Sequence, residues 1–194
     1  MTDTPTAGRS ALLVMDVQRG IVERFGETPH LLDRLSDAIA AARSAAIPVI
    51  YVMVRFRPGY PEISTRNRSF AAIRDAGTRM EETDPATEIH PAVAPQTGDI
   101  VVTKRRVSAF SGSDLDVVLR AQEITHLVLT GIATSGVVLS TLRAAADLNY
   151  RPSVLSDCCA DADDEVQRVL LGKVFPRQAD VLTAEEWAAT LNRR

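Results

Sequence analysis

The chain has 194 residues, 25 acidic and 22 basic side chains, and a net charge of −3, with 45% hydrophobic and 24% charged residues. That composition excludes a disordered polymer, and the near-balanced charge excludes nucleic acid as the main partner. The length suits one domain able to bury a full core, and no apolar run approaches the roughly 18 residues of a membrane span.

Met1 to Gly8 is polar and small and carries no basic-then-apolar signal sequence. Residues 1–9 are predicted to be a flexible tail and residues 10–194 a single domain. Ala11 to Val17 is a short apolar run that contains an aspartate, Asp16. A helix follows, with Leu31, Leu35, Ile39, Ala42 and Ala46 on one face. Pro48 opens a second run, Val49 to Val54. Residues 55–99 are irregular, rich in Pro, Gly, Thr and charge, with a short helix near Phe70 to Ala76. A connection of that length is usually functional, as a substrate wall, or serves oligomer contacts. Ile100 to Thr103 is a third run, and Leu115, Val118 and Leu119 mark a helix. Leu127 to Thr130 is a fourth run, followed by a helix over Val137 to Leu148. Ser153 to Leu155, a helix through Val166 and Leu170, and the run Ala179 to Leu182 come next. The last helix, Ala184 to Leu191, is capped by Thr183 with Glu186 at the capping-box spacing. Short apolar runs alternating with helices predict βαβ units and a parallel sheet.

In such a sheet, sites form at the carboxyl ends of the strands. Asp16, Lys104, Asp157 and the segment Gly131-Ile132-Ala133-Thr134-Ser135-Gly136 all fall there. Asp16 sits in an otherwise apolar strand, and a carboxylate at that depth needs a partner. Lys104 is the candidate, and such a pair can work as general acid or base. The plainer alternative is a turn-capping aspartate and a surface lysine. The 131–136 segment exposes backbone N–H groups at a helix start, either as an oxyanion cradle or as a plain tight turn. Neither this turn nor the one after Asp16 carries a dinucleotide fingerprint, so no cofactor is expected. His30, His90 and His126 have no ligand spacing, so no metal is expected. Arg55, Arg57, Arg105 and Arg106 read mostly as solvated charge. Cys158 and Cys159 are the only cysteines, and they are adjacent. They form neither a disulfide framework nor a four-ligand zinc site, which points to the cytoplasm. Each reads as a small buried hydrophobe.

Taken together, Leu12 to Gln18, Thr103 to Phe110, Leu129 to Thr141, Val154 to Asp161 and Val174 to Thr183 resemble the isochorismatase-like hydrolases. The resemblance spans about Ser10 to Trp187. It implies a three-layer αβα sandwich of the Rossmann-like type, with a mostly parallel six-stranded sheet. It also implies a homodimer or homotetramer and a small-molecule substrate. In the cysteine-hydrolase branch, Asp16 matches the family aspartate and Lys104 the lysine. The Ile132–Ala133 bond matches a non-proline cis peptide, and the amides of Ala133 and Val137 match the oxyanion hole. The family's nucleophilic cysteine falls on Val137, which has no nucleophilic atom. True isochorismatases likewise keep the aspartate and lysine without the cysteine, and hydrolyse a vinyl ether by protonating its carbon. Gln18 and the stretch Lys104 to Phe110 look like that version. Phe25, Arg55, Tyr60 and Phe110 are expected in the substrate wall, with Gln18, Ile132 and Ala133 at the substrate. Two readings stand: a cysteine-independent hydrolase built on Asp16 and Lys104, and a binding or assembly protein that has lost its nucleophile. A thiol chemistry at Cys158 or Cys159 is a third, lesser one.

Overall fold

The computed structural model describes residues 8–26 and 30–191. The apolar runs are strands: β1 (Arg9–Met15), β2 (Val49–Val54), β3 (Ile100–Lys104), β4 (Ile124–Ile132), β5 (Arg151–Ala160) and β6 (Asp180–Leu182). They form one six-stranded sheet in the order β3-β2-β1-β4-β5-β6, and every pairing is parallel. Arg9, assigned to the tail above, opens β1 and pairs with Ile124. The rest of the expected tail, residues 1–7, lies outside the described residues.

Among the described residues, seven α-helices flank the sheet: α1 (Arg19–Phe25), α2 (Leu31–Ser44), α3 (Arg68–Asp75), α4 (Leu115–Ala121), α5 (Leu139–Asp147), α6 (Asp164–Val169) and α7 (Ala184–Leu191). Side chains alternate across a strand, so β1 feeds two cores. Leu12 and Val14 join residues of α1, α2, α3 and α7, whereas Ala11, Leu13 and Met15 join residues of α4 and α5. The three-layer αβα sandwich expected from the sequence is the architecture found.

The local predictions hold where periodicity is strong. In α2, Leu31, Leu35, Ile39 and Ala42 are all buried. Truncating a fully buried leucine such as Leu35 costs about 2–5 kcal/mol. Ala46 leaves that stripe because the helix ends at Ser44, and Ala46 turns into the left-handed region at φ 53°. At α7 the Thr183 Oγ1 accepts from the Glu186 N–H at 3.2 Å, and Glu186 Oε2 accepts from the Thr183 N–H at 2.8 Å. Helix α1 has no sustained apolar periodicity in the sequence to announce it. It has only seven residues, and Gly20 weakens its propensity. Strand β5 runs past Leu155 to Ala160, because an irregularity displaces the polar Ser156 and Asp157 before pairing with β4 resumes at Cys159 and Ala160. Lys104, Gly131, Asp157 and both cysteines are therefore strand residues rather than residues after strands.

Strand order decides where a site can form. The chain winds from β1 through β2 to β3, then crosses back so that β4 lies on the other side of β1. The crevice at such a switch point, at the carboxyl ends of β1 and β4, is where open parallel sheets bind ligands.

Candidate active site

Asp16 follows the last residue of β1 at this switch point. Its backbone turns at φ 57°, a region that Asp tolerates better than most residues, and its N–H donates to the Val52 carbonyl at 2.8 Å. Lys104 ends β3, two strands away. Its four-carbon stem spans that gap, and Nζ lies 2.8 Å from Asp16 Oδ2. Asp16 is 6% exposed and Lys104 1%. Nζ also donates to the Arg106 carbonyl at 3.0 Å. The other carboxylate oxygen, Asp16 Oδ1, is buried with no hydrogen-bond partner among the described residues. Burial pushes the Asp16 carboxyl above the usual range, and the Lys104 charge opposes that push without cancelling it.

The β4 side of the crevice starts at Gly131, at φ 134°. A Cβ there would sit 2.0 Å from the Met15 carbonyl oxygen, so glycine permits the close approach of β4 to the residue before Asp16. The Ile132–Ala133 peptide bond is cis. The chain then makes a π-helical turn, Thr134–Val138, that runs into α5. The Ala133 carbonyl accepts from the Gly136 and Val138 N–H groups at 3.1 and 3.3 Å, and the Ser135 N–H donates to Asp161 Oδ2 at 2.6 Å. Val137 is 2% exposed and belongs to the core beneath α4 and α5. Thr134 is fully buried, yet its Oγ1 has no partner among the described residues. The sequence shows Thr134 only as one hydroxyl of the 131–136 segment, beside that of Ser135, and nothing there sets it apart.

The expected wall residues divide. The Gln18 amide is fully engaged: Nε2 donates to the Val54 and Thr87 carbonyls at 3.1 and 2.7 Å, and Oε1 accepts from the Val54 N–H at 2.9 Å. It ties the end of β1 to β2 and to the long 55–99 connection. Arg55 donates to the same Thr87 carbonyl at 3.3 Å. The Tyr60 hydroxyl donates to the Thr78 carbonyl at 3.0 Å and accepts from the Met80 N–H at 3.2 Å. These three side chains hold the connection against the rim. Phe56 and Phe70 give it a small core, ring centroids 5.2 Å apart, and Arg105 reaches Glu62 at 3.4 Å and Glu82 at 3.3 Å. Phe25 packs half-buried against the α2-side core. Phe110 stacks on Tyr150, just beyond the carboxyl end of α5, with centroids 5.8 Å apart. Its ring is taken up by that packing.

Asp157 belongs to a different task. It accepts from the Ala184 N–H at 2.8 Å and so seats the start of α7. Cys158 and Cys159 are buried, and burial raises both thiols, Cys159 to about 12. Neither is a thiolate at neutral pH. Among the described residues no group of three or more His, Cys, Asp or Glu is placed to hold a metal ion, and no helix is long and apolar enough to cross a membrane.

A parallel sheet with a buried carboxylate–ammonium pair at its switch point, faced by a glycine-anchored turn, defines an α/β protein with a candidate small-molecule site at the strand ends. The model of the Isochorismatase domain matches residues 10–186, and the chain belongs to that family, whose members include hydrolases. It is 33% identical to the isochorismatase family protein YwoC of Bacillus subtilis (strain 168) over 181 residues, 92% of each chain. It is 33% identical to the ureidoacrylate amidohydrolase RutB of Stutzerimonas stutzeri (strain A1501) over 180 residues, 82% of this chain and 73% of that one. Among solved structures, a cysteine hydrolase from Pseudomonas syringae pv. phaseolicola 1448A superposes with a TM-score of 0.87 at 26% identity, covering 95% of this chain and 93% of the other.

Proposed function

We propose that this family hydrolase acts on a small molecule without a thiol nucleophile, with Asp16 as the proton donor and acceptor and Lys104 as its charge partner. The observation that carries this reading is the buried Asp16–Lys104 contact at 2.8 Å, with Asp16 Oδ1 left unpaired. In this reading Val137 stands where cysteine hydrolases carry their nucleophile, so no covalent acyl intermediate forms there. The raised Asp16 carboxyl favours an acid role. Asp16 gives its proton to the carbon of an enol ether, and water adds to the resulting oxocarbenium ion. The hemiketal then collapses to a carbonyl product and an alcohol, and Asp16 recovers a proton. Lys104 stabilises the carboxylate left after the first transfer. The amides of Ala133 and Val137 hold a substrate oxygen, Phe25 and Ile132 border the substrate, and Gln18, Arg55 and Tyr60 shape the wall through the connection they fasten, whereas the Phe110 ring stays packed on Tyr150. The likeness to a ureidoacrylate amidohydrolase makes related C–N hydrolysis the neighbouring chemistry to test.

A screen of vinyl ethers, carbamoyl and ureido compounds and simple amides tests this, with Asp16→Asn as the control. Turnover is expected in wild type and to fall by about 10²–10⁴-fold in the variant. Retained turnover in Asp16→Asn sinks the mechanism. One observation favours a second reading, a small-molecule-binding or assembly protein: Val137 fills its position as a core residue. New amidase activity in Val137→Cys would reveal an otherwise intact C–N hydrolase site. We extend the proposal to a cytoplasmic homodimer or homotetramer, which light scattering of the purified chain checks.

A further inference from the structure

Away from the strand-end rim, Arg143, Lys173, Val174, Arg177 and Gln178 line a hollow of about 460 Å³. Arg143 comes from α5. Lys173 lies in a π-helical turn, Leu170–Val174, and Arg177 in the 3-10 turn Phe175–Arg177 that follows. Three cations thus converge on one space whose lining has no carboxylate. Among the described residues, none of the three takes part in an ion pair. Other exposed arginines do find carboxylates: Arg57 meets Glu62, Arg79 meets Asp84, Arg120 meets Asp116 and Arg151 meets Asp180. The chain as a whole carries a charge of −3, so the hollow inverts the sign of the molecule locally.

The fold holds these cations where they are. Leu170 and Phe175 are buried and anchor the segment that presents Lys173 and Arg177. Turns of this π-helical kind recur at functional sites. Arg143 donates to Gln178 Oε1 at 3.2 Å, which orients its guanidinium while using only one of five donors. Like charges held together repel, and an anion entering between them turns that repulsion into attraction.

We propose that this hollow binds a small phosphate-bearing anion. A guanidinium matches phosphate oxygens two at a time, and an ammonium adds a point charge. A monoanionic carboxylate leaves two cations unmatched, whereas a polyanionic phosphate group meets all three. The volume exceeds that of a bare phosphate and admits an attached organic group. This site is independent of the hydrolytic reading and does not use Asp16 or Lys104.

The probe is inorganic pyrophosphate, titrated calorimetrically into the full chain at about 50 mM and about 500 mM salt. Saturable binding that weakens at high salt is expected. Arg143→Ala and Lys173→Ala are each expected to weaken it about tenfold or more. Arg66→Ala, an exposed position on the long connection, serves as the control and leaves affinity unchanged. The lining cations are exposed, so these variants keep the fold, which far-UV circular dichroism verifies. Absence of saturable binding at millimolar pyrophosphate overturns the proposal. So does undiminished binding in the double variant Arg143→Ala/Lys173→Ala.

Discussion

Replacing Lys104 by methionine removes the charge that faces Asp16 and keeps most of the stem's volume. The two charged groups lie 2.8 Å apart, shut away from water. At that distance unit charges attract by about 6 kcal/mol at an effective dielectric of about 20. Desolvation of both ions takes back part of this. Losing one partner of a buried pair nonetheless costs about 3–5 kcal/mol, because the other charge is stranded. Asp16 has one escape, which is to take up a proton. Burial already raises its carboxyl, and Lys104 is the group that holds it down. In Lys104→Met the folded-state pKa therefore moves further above the ordinary value of 3.8. A carboxyl raised in this way binds its proton more tightly in the folded state than in the unfolded chain. Its stabilising contribution is full below the unfolded pKa and is lost as pH rises through the folded one. The variant's deficit is thus smallest where Asp16 is protonated in both proteins. It then grows by about 1.4 kcal/mol per pH unit wherever Asp16 is ionised in wild type and still protonated in the variant. Urea unfolding from about pH 5 to about pH 8 reads this slope. Adding Asp16→Asn to Lys104→Met should recover most of the loss at neutral pH. A deficit that ignores pH, or a double variant weaker than the single one, refutes the reasoning.

Gly131→Ala places a Cβ against the Met15 carbonyl at φ 134°, so thermal unfolding should show a loss of about 3 kcal/mol or more; a near-neutral result means that β1 and β4 part easily. Thr134→Val removes a buried hydroxyl that lacks a partner among the described residues, so stability in thermal unfolding should hold or rise by about 1 kcal/mol. A clear drop in melting temperature would instead reveal a structural role for that hydroxyl. Iodoacetamide at neutral pH should leave Cys158 and Cys159 unlabelled until urea unfolds the chain, as followed by mass spectrometry, since burial raises both thiols. Prompt labelling of the folded protein contradicts that burial.

Interaction range separates the features legible in the sequence from those that only the fold creates. The apolar run before Asp16, the 3.6-residue stripe of α2 and the Thr183–Glu186 cap are set by neighbours a few residues away, so the sequence displays them directly. Strand β5 hides its second half because Ser156 and Asp157 interrupt the apolar pattern, and what reunites it with β4 is pairing at Cys159 and Ala160. Gln18 and Tyr60 looked like substrate contacts. Their polar atoms are instead engaged by carbonyls and amides of Val54, Thr87, Thr78 and Met80, partners that lie 18 or more residues away in the chain.

The same distinction governs the site. Asp16 and Lys104 were visible as polar residues at the ends of apolar runs, and the 131–136 segment as a strand-end turn, because local pattern and the strand-end rule suffice for that. Which of them meet depends on strand order. Lys104 reaches Asp16 across β2 because β3, β2 and β1 lie side by side, and the turn after β4 faces Asp16 because the chain crosses back over β1. Thr134 and Asp16 Oδ1 stand out only once burial has removed water and left no partner among the described residues. Periodicity encodes which side of a strand is buried. Assembly of distant strands encodes which charges lose water together, and the chemistry proposed for this pair rests on that loss.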